Sequence, residues 1–334
     1  MQQKIEANYL WWTLIAIALF SAQPLFGAVE GRYFHYFALE ADYVLLRRAN
    51  NHDKSLVVVP SSAGSSATDT TMISSANLVN DMPFKSGFSA ALKIFYGLRS
   101  TWEFRYLGRF HWRGEKEVTS VQSLLTLPGG FGADTVDYAA AQHARGVYSS
   151  NMYTSEVNYW RHATPRYTDH FSVSWLMGLR FFNIEEKLKL SFATGNSASR
   201  YRVKTRSRSF GLQAGFSLEY NPYRVLTWGG VAKVGALFNR GRQSTLLLDN
   251  NNTVALLQGA ASRSDFAYCA QVYPFIEWRP TKSFDIIVHY QVLYIGGIAV
   301  ADSQLFFDEG GEIRFSSNGD IIYHGLTAAI HFNF

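Results

Sequence analysis

Residues 209–220 have the sequence Ser-Phe-Gly-Leu-Gln-Ala-Gly-Phe-Ser-Leu-Glu-Tyr, and their order of apolar and polar side chains predicts the architecture of the chain. Apolar residues from Phe210 to Tyr220 alternate with Ser, Gly, Gln and Glu. Successive side chains of a β-strand point to opposite faces, so this pattern predicts a strand with one oily and one polar face. The C-terminal stretch 326–334 and residues 102–113 show the same alternation. In the latter we expect Phe110 and Trp112 to share the apolar face of Trp102.

The composition agrees with a β-rich protein. Of the 334 residues, 47% are hydrophobic and 16% are aromatic, and aromatic side chains favour strands. The mean hydropathy of −0.08 excludes a helical membrane bundle but not a membrane barrel, whose strands alternate in polarity. The single cysteine, Cys269, excludes a disulfide framework and a cysteine-based metal site.

Three features favour a membrane barrel over a soluble sandwich. The polar faces carry many charges, aromatic residues cluster at strand ends, and the chain ends on Phe334, which we interpret as a signal for the outer-membrane assembly machinery. We therefore predict an all-β, transmembrane, antiparallel up-and-down barrel. The residues expected to line its interior are Glu40, Asp42, Glu103, Arg105, Arg109, Arg180, Lys233, Glu277, Asp285 and His289.

Long and short connections alternate along the chain, as they do in barrels with short periplasmic turns and long outer loops. The predicted strands are 33–48, 84–97, 100–113, 151–162, 169–194, 205–220, 224–240, 264–279, 283–299 and 321–334. A turn at 183–187 would allow twelve strands instead of ten. The predicted long loops are 49–83, 114–150, 241–263 and 300–320, and residues 61–68 are expected to be flexible.

The first 28 residues are predicted to be a signal peptide. Lys4 precedes an apolar run at 10–20, which is too short for a comfortable membrane span, and small residues follow. A buried helix or an uncleaved anchor is the alternative. The barrel domain is accordingly placed at 29–334.

The formal charge of +5 leaves two interpretations open. One is an ordinary solvated surface, and the other is an attraction for anions such as lipopolysaccharide phosphates. The densest basic stretch is 200–208, where a basic residue at every second position puts the charges on one face of a strand. No basic block is dense enough to predict nucleic-acid binding.

Chemistry-bearing residues occur without a recognised motif. His52 and Asp53, and His324 with Asp302 and Asp320, are candidates for a barrel-embedded hydrolase, but neither set has a catalytic spacing. His289 and His331 share a polar face but lack the third ligand that zinc needs. We expect no metal, no cofactor and no enzymatic activity.

Several blocks resemble the beta-barrel porin-7 family. They are residues 178–188, 210–215, 233–239, 290–294, 299–304 and 319–325, with weaker support from 37–48 and 84–94. The resemblance implies an outer-membrane barrel of porin type without established catalytic residues. The sequence departs from the family at Asp302, where proline is more common.

The sequence thus predicts a bacterial outer-membrane barrel, functioning as a narrow porin or channel for small hydrophilic solutes. The alternative is a plugged structural barrel whose outer loops bind surface partners, and the hydrolase is a minor third. The inward charges are predicted either to form an ion-pair plug or to select solutes at a constriction.

Overall fold

The computed structural model describes residues 36–49, 52–60, 69–96, 99–122, 125–128, 138, 140–163, 170–223, 225–249, 251–305 and 315–334. The predicted signal peptide, residues 1–28, and the predicted flexible loop, residues 61–68, lie outside these residues. No helix among the described residues is long and apolar enough to cross a membrane.

Ten antiparallel strands close into a barrel, which confirms the predicted architecture. Each strand pairs with its neighbours in the ring, and the first barrel strand pairs with the last. The barrel strands are β1 (Phe37–Ala49), β4 (Lys85–Tyr96), β5 (Ser100–Thr119), β6 (His143–His162), β7 (Phe171–Thr194), β8 (Ser197–Tyr223), β9 (Leu226–Asp249), β10 (Val254–Trp278), β11 (Phe284–Ile298) and β12 (Gly319–Asn333). Because β7 runs unbroken through 183–187, the barrel has ten strands and not twelve.

The strands are longer than the alternation predicted. β9 and β10 pair from Val254↔Asp249 to Trp278↔Leu226, with one register shift between Ala255 and Leu257. The predicted loop 241–263 is therefore wrong, and these residues form a tall hairpin. The predicted loop 114–150 is also partly strand, since β5 continues to Thr119 and β6 begins at His143. The apolar alternation stops there because these parts of the strands rise above the lipid, where the outward face meets water.

An apolar band surrounds the half of the barrel nearest the short turns. On β8 the outward residues from Phe210 to Tyr220 are largely exposed, and on β7 so are those from Phe171 to Leu179. The ten-residue step from Phe210 to Tyr220 spans about 33 Å along the strand, or about 24 Å along the membrane normal at the usual tilt. This height matches the hydrocarbon band of an outer-membrane barrel. We call the half within the band the membrane half and the rest the outer half.

The polarity of both faces inverts between the two halves. In the membrane half of β7, Ser172, Ser174 and Arg180 point inward. In the outer half the inward residues of the same strand, Phe182 to Phe192, are apolar apart from Glu186, while the outward residues include Lys187 and Lys189. The outer half is therefore built like a water-soluble protein, with a dry core and a charged surface.

A β-bulge produces part of this inversion on β5. Between Leu107 and Phe110 two residues oppose Tyr153 alone, and the pairing register shifts. The extra residue rotates the rest of the strand, so Phe110 and Trp112 point inward and are buried. The prediction that they share the outward face of Trp102 is wrong for this reason.

A short chain segment fills the outer mouth of the barrel. It consists of the hairpin β2 (Ser55–Val59) and β3 (Thr70–Ser74), followed by the helix α1 (Ser75–Asn80), which Ser74 caps through Asn77. We call residues 52–60 and 69–82 the plug segment. Leu78 of α1 packs so closely on β5 that a Cβ at Gly114 would overlap its carbonyl oxygen. Glycine is therefore required at 114 for the helix to fit inside the wall.

Candidate functional site: the barrel interior

The membrane half of the interior holds a network of ion pairs. Glu40 of β1 lies 2.7 Å from Lys93 and 2.6 Å from Arg105, measured between side-chain oxygen and nitrogen atoms. The guanidinium of Arg105 also lies 3.0 Å from Asp42 and 3.5 Å from Glu103. One arginine therefore joins three carboxylates on two strands.

Glu156 of β6 forms the second centre of this network. Its carboxylate lies 3.1 Å from Arg180 and 2.8 Å from Lys233. Asn158 links the two centres, because its amide donates to Glu103 at 2.9 Å and to Glu156 at 3.0 Å.

Glutamine side chains carry the network round the rest of the barrel. Gln213 donates to Glu156 at 2.9 Å, Arg180 donates to Gln271 at 2.8 Å, and Gln271 donates to Gln291 at 2.9 Å. The contacts reach nine of the ten barrel strands, all except β12. Four carboxylates, from Glu40, Asp42, Glu103 and Glu156, match the four cations of Lys93, Arg105, Arg180 and Lys233. The network is thus formally neutral.

A cavity of about 110 Å³ lies beside the network, with Glu40, Asp42, Glu103, Arg105 and His289 among its lining residues. Nine of the ten residues predicted to line the interior do point inward; the side chain of Arg109 lies outside what the structure describes. Lys233 and Glu277 also line the cavity. Arg180 is buried within the network, whereas Asp285 is buried apart from it, against β12, where it accepts a hydrogen bond from Asn333 at 2.9 Å.

The outer half contains a buried ion pair that the residue pattern did not predict. Arg48 of β1 and Glu186 of β7 meet at 2.7 Å, and both side chains are fully buried. Glu186 also accepts from the Tyr148 hydroxyl at 2.7 Å and from the backbone N–H of Ala301 at 3.0 Å. The pair therefore ties three elements of the wall to the segment after β11. One sequence feature could have indicated this pair. Glu186 is a charged residue in a series of alternate apolar residues whose pattern predicts a buried core.

Around that pair, apolar side chains fill the interior of the outer half. They come from the wall strands, from the plug segment and from residues 125–127, of which Thr126 pairs with Val58 of β2. Fully buried members of this core include Trp112, Tyr148, Phe182, Phe192 and Tyr323. The outer half is a packed apolar core, in contrast to the polar, charged interior of the membrane half.

Of the residues considered for catalysis, His52 and Asp320 meet, whereas His324 and Asp302 do not. His324 points outward from β12 and contacts the Tyr290 hydroxyl at 2.7 Å, whereas Asp302 is buried in the interior. His52 lies 2.6 Å from Asp320, which brings together one residue from each predicted set. A hydrolase that used His324 with Asp302 would need them on the same face.

His289 and His331 are also separate. His331 faces Asp285, with its ring nitrogen 3.2 Å from the carboxylate, while His289 pairs in register with Thr327. Four residues of strand, about 13 Å, separate the two positions. Among the described residues no group of three or more His, Cys, Asp or Glu is placed to hold a metal ion.

Phe334 lies at the seam where the barrel closes. Its ring stacks on Phe37 with centroids 5.0 Å apart, and its backbone N–H donates to the carbonyl of Phe37 at 2.9 Å. The carbonyl of Phe334 accepts from Tyr36 at 2.8 Å. The last residue therefore completes the pairing of the first and last strands.

Comparison with solved structures identifies the class of fold. The outer membrane protease OmpT from Escherichia coli superposes with a TM-score of 0.54 at 8% identity, covering 91% of this chain and 99% of that chain. The translocator domain of the autotransporter NalP from Neisseria meningitidis gives a TM-score of 0.38 at 10% identity, covering 100% and 97%. LpxR from Salmonella typhimurium gives 0.29 at 9% identity, covering 90% and 100%. No protein-family model matches the chain, and no curated protein matches it.

With its apolar band, closed ring and short turns at one end, the chain is a bacterial outer-membrane β-barrel. The OmpT likeness extends over nearly the whole length of both chains, so it applies to the complete barrel. At 8% identity it shows the fold alone. The resemblance to the beta-barrel porin-7 family stays a prediction.

Proposed function

We propose that this chain is a closed outer-membrane barrel that acts at the cell surface through its outer half, and not a diffusion channel. The observation that carries the proposal is the packed apolar core that fills the outer half around the plug segment. A hydrophilic solute crossing the barrel would have to displace buried side chains such as Trp112 and Tyr323. Interiors packed to this degree resist such displacement.

The membrane half supports the same proposal. A selective constriction presents charge of one sign to the passing ion. Here Glu40 and Glu156 are each held by two cations, so these charges are engaged within the wall, while Glu219 and Glu277 are further carboxylates in the lining of the cavity. Charges held in this way are better suited to stabilising the wall of a closed barrel than to selecting ions at a constriction.

Planar-bilayer recording tests the closed state. We expect the purified barrel to give no steady conductance steps from low to high salt. Glu156→Gln is the matched variant, because it changes the charge of the interior without changing its volume. Steady steps whose ion selectivity shifts in Glu156→Gln would refute the proposal and establish the narrow porin instead.

The narrow porin remains the second candidate because of the polar cavity in the membrane half. That cavity contains groups able to hydrate a small solute, among them Glu103, Arg105 and His289. Transport through it requires the plug segment to leave the barrel mouth. An engineered disulfide between α1 and the wall would then abolish conductance. A barrel that is always closed would show no conductance with or without this disulfide.

If the protein acts at the cell surface, the groups that bind a partner are expected on the loops at the closed outer end of the barrel. Residues 61–68 connect β2 to β3, whose last pair is Val59 with Thr70. Replacing 61–68 by Asn-Gly is compatible with that hairpin. We expect unchanged assembly, and weaker binding of the purified barrel to cultured cells or immobilised envelope polysaccharide. Unchanged binding to both surfaces would exclude this loop as the contact.

A further inference from the structure

Directly above the apolar band, the outward faces of three neighbouring strands carry a dense group of cations. On β8 the outward residue after Phe210, towards the outer end, is Arg208, and on β9 the one after Phe238 is Arg240. We define the basic belt as Lys187 and Lys189 of β7, Arg202, Lys204, Arg206 and Arg208 of β8, and Arg240 and Arg242 of β9. All eight point outward and none is buried.

The strand register brings like charges directly opposite each other. The cross-strand partners are Lys187 with Lys204, Lys189 with Arg202, Arg206 with Arg242, and Arg208 with Arg240. Like charges at directly opposed positions destabilise a sheet. Four such pairs side by side are therefore unfavourable unless an anion lies between them.

The acidic side chains of the protein itself neutralise little of this positive charge. On the outward faces of these segments the acidic residue is Glu185, which lies 2.9 Å from Arg206. Eight cations against one carboxylate give the belt a formal charge of +7, whereas the whole chain carries +5. The excess positive charge is thus concentrated here and not spread over the surface.

A groove on the outer wall extends the belt to the neighbouring strands. Arg113, Arg145, Lys187 and Lys189 line this groove, which has a volume of about 380 Å³. Arg113 and Arg145 share Glu115 as their partner. Lys189 therefore lies among the cations of Arg113, Arg145 and Lys187, and the lining of the groove, among the described residues, includes no acidic residue.

The height of the belt shows where its ligand lies. Arg208 lies two residues nearer the outer end of the barrel than Phe210, and Arg240 lies two residues nearer that end than Phe238. Two residues span about 7 Å along a strand. This places the guanidinium groups at the level of the lipid headgroups, with the apolar band immediately below. Arginine binds phosphate through paired, charge-assisted hydrogen bonds.

We propose that the basic belt and its groove bind the phosphate groups of outer-leaflet lipopolysaccharide, one lipid molecule lying with its acyl chains along the band. Phosphates between the strands convert four repulsive pairs into bridged ones. The site lies on the outside of the barrel and is independent of whether the interior conducts.

The test measures binding of purified lipopolysaccharide to the full-length barrel in a neutral detergent. The variants are Arg208→Gln/Arg240→Gln and Lys187→Gln/Lys204→Gln, and the control is Arg161→Gln, an outward arginine at the opposite, periplasmic end. We expect each double variant to weaken binding at least tenfold, the control to leave it unchanged, and dephosphorylated lipopolysaccharide to bind weakly. Equal binding by the variants, or by the dephosphorylated lipid, would overturn the proposal.

Two further measurements distinguish a lipid site from a free-anion site and from a purely structural cluster of cations. Inorganic phosphate at millimolar concentration should compete poorly, and complete competition would show a free-anion site in place of a lipid site. Without lipid, the double variants should unfold at a higher temperature than the wild type because repulsion is removed. A lower temperature would show that the residues act structurally, against the proposal.

Discussion

Removing the carboxylate of Glu186 should destabilise the outer half more than any single surface change. In Glu186→Leu the Arg48 guanidinium keeps its charge in a fully buried position. Breaking a buried ion pair on one side costs about 3–5 kcal/mol. The Tyr148 hydroxyl and the Ala301 N–H lose their acceptor in the same variant. We therefore expect the free energy of unfolding to fall by about 4 kcal/mol.

The double variant Arg48→Met/Glu186→Leu isolates the charge. It leaves the two neutral donors unsatisfied, which costs about 1–3 kcal/mol, but it removes the unpaired cation. It should therefore be more stable than Glu186→Leu by about 2 kcal/mol. Buried pairs replaced by apolar residues of similar size are often tolerated in this way.

Equilibrium unfolding in lipid vesicles, followed by tryptophan fluorescence, measures these differences, because Trp112 is buried in the core of the outer half. Glu117→Leu, at an exposed position of β5, is the control and should change stability by less than about 0.5 kcal/mol. A loss below about 1 kcal/mol for Glu186→Leu, or a double variant no more stable than the single one, would refute the reasoning.

The tight packing of the plug segment gives a further prediction. Gly114→Val should expel the helix, because the new side chain overlaps Leu78, and should expose the plug segment to protease. Gly230→Ala, where a Cβ has room, should not do so, and equal protection of both variants would contradict the close fit. Phe334→Ala should reduce the heat-modifiable, assembled fraction in outer membranes while leaving spontaneous folding into vesicles nearly unchanged, and equal loss in both assays would argue against an assembly signal. Glu156→Gln should lower the free energy of unfolding by about 2–4 kcal/mol because two buried cations lose their counter-charge, and an unchanged denaturation midpoint would refute this.

The sequence was sufficient to predict the membrane half. There the lipid enforces an apolar outward face, so the alternation from Phe210 to Tyr220 appears directly in the residue order. The inward positions of Glu40, Asp42 and Lys233 follow from the same period of two.

The outer half could not be predicted in the same way. Above the lipid the outward face follows no single rule, so the pairing of 241–249 with 254–263 left no apolar alternation to detect. The bulge beside Arg109 changes which face later residues occupy, and one extra residue gives no signal in composition. The Arg48–Glu186 pair depends on strands far apart in the chain, which only the closed ring brings together.

The inversion of polarity along each tall strand means that one substitution has opposite consequences at two heights. Replacing an outward leucine of β8 such as Leu218 by arginine puts a charge against hydrocarbon, whereas the reverse change at Arg206 puts an oily group into water. Mutational tolerance in this protein is therefore set by depth in the membrane and not by residue type, and any substitution table averaged over the whole chain would mislead.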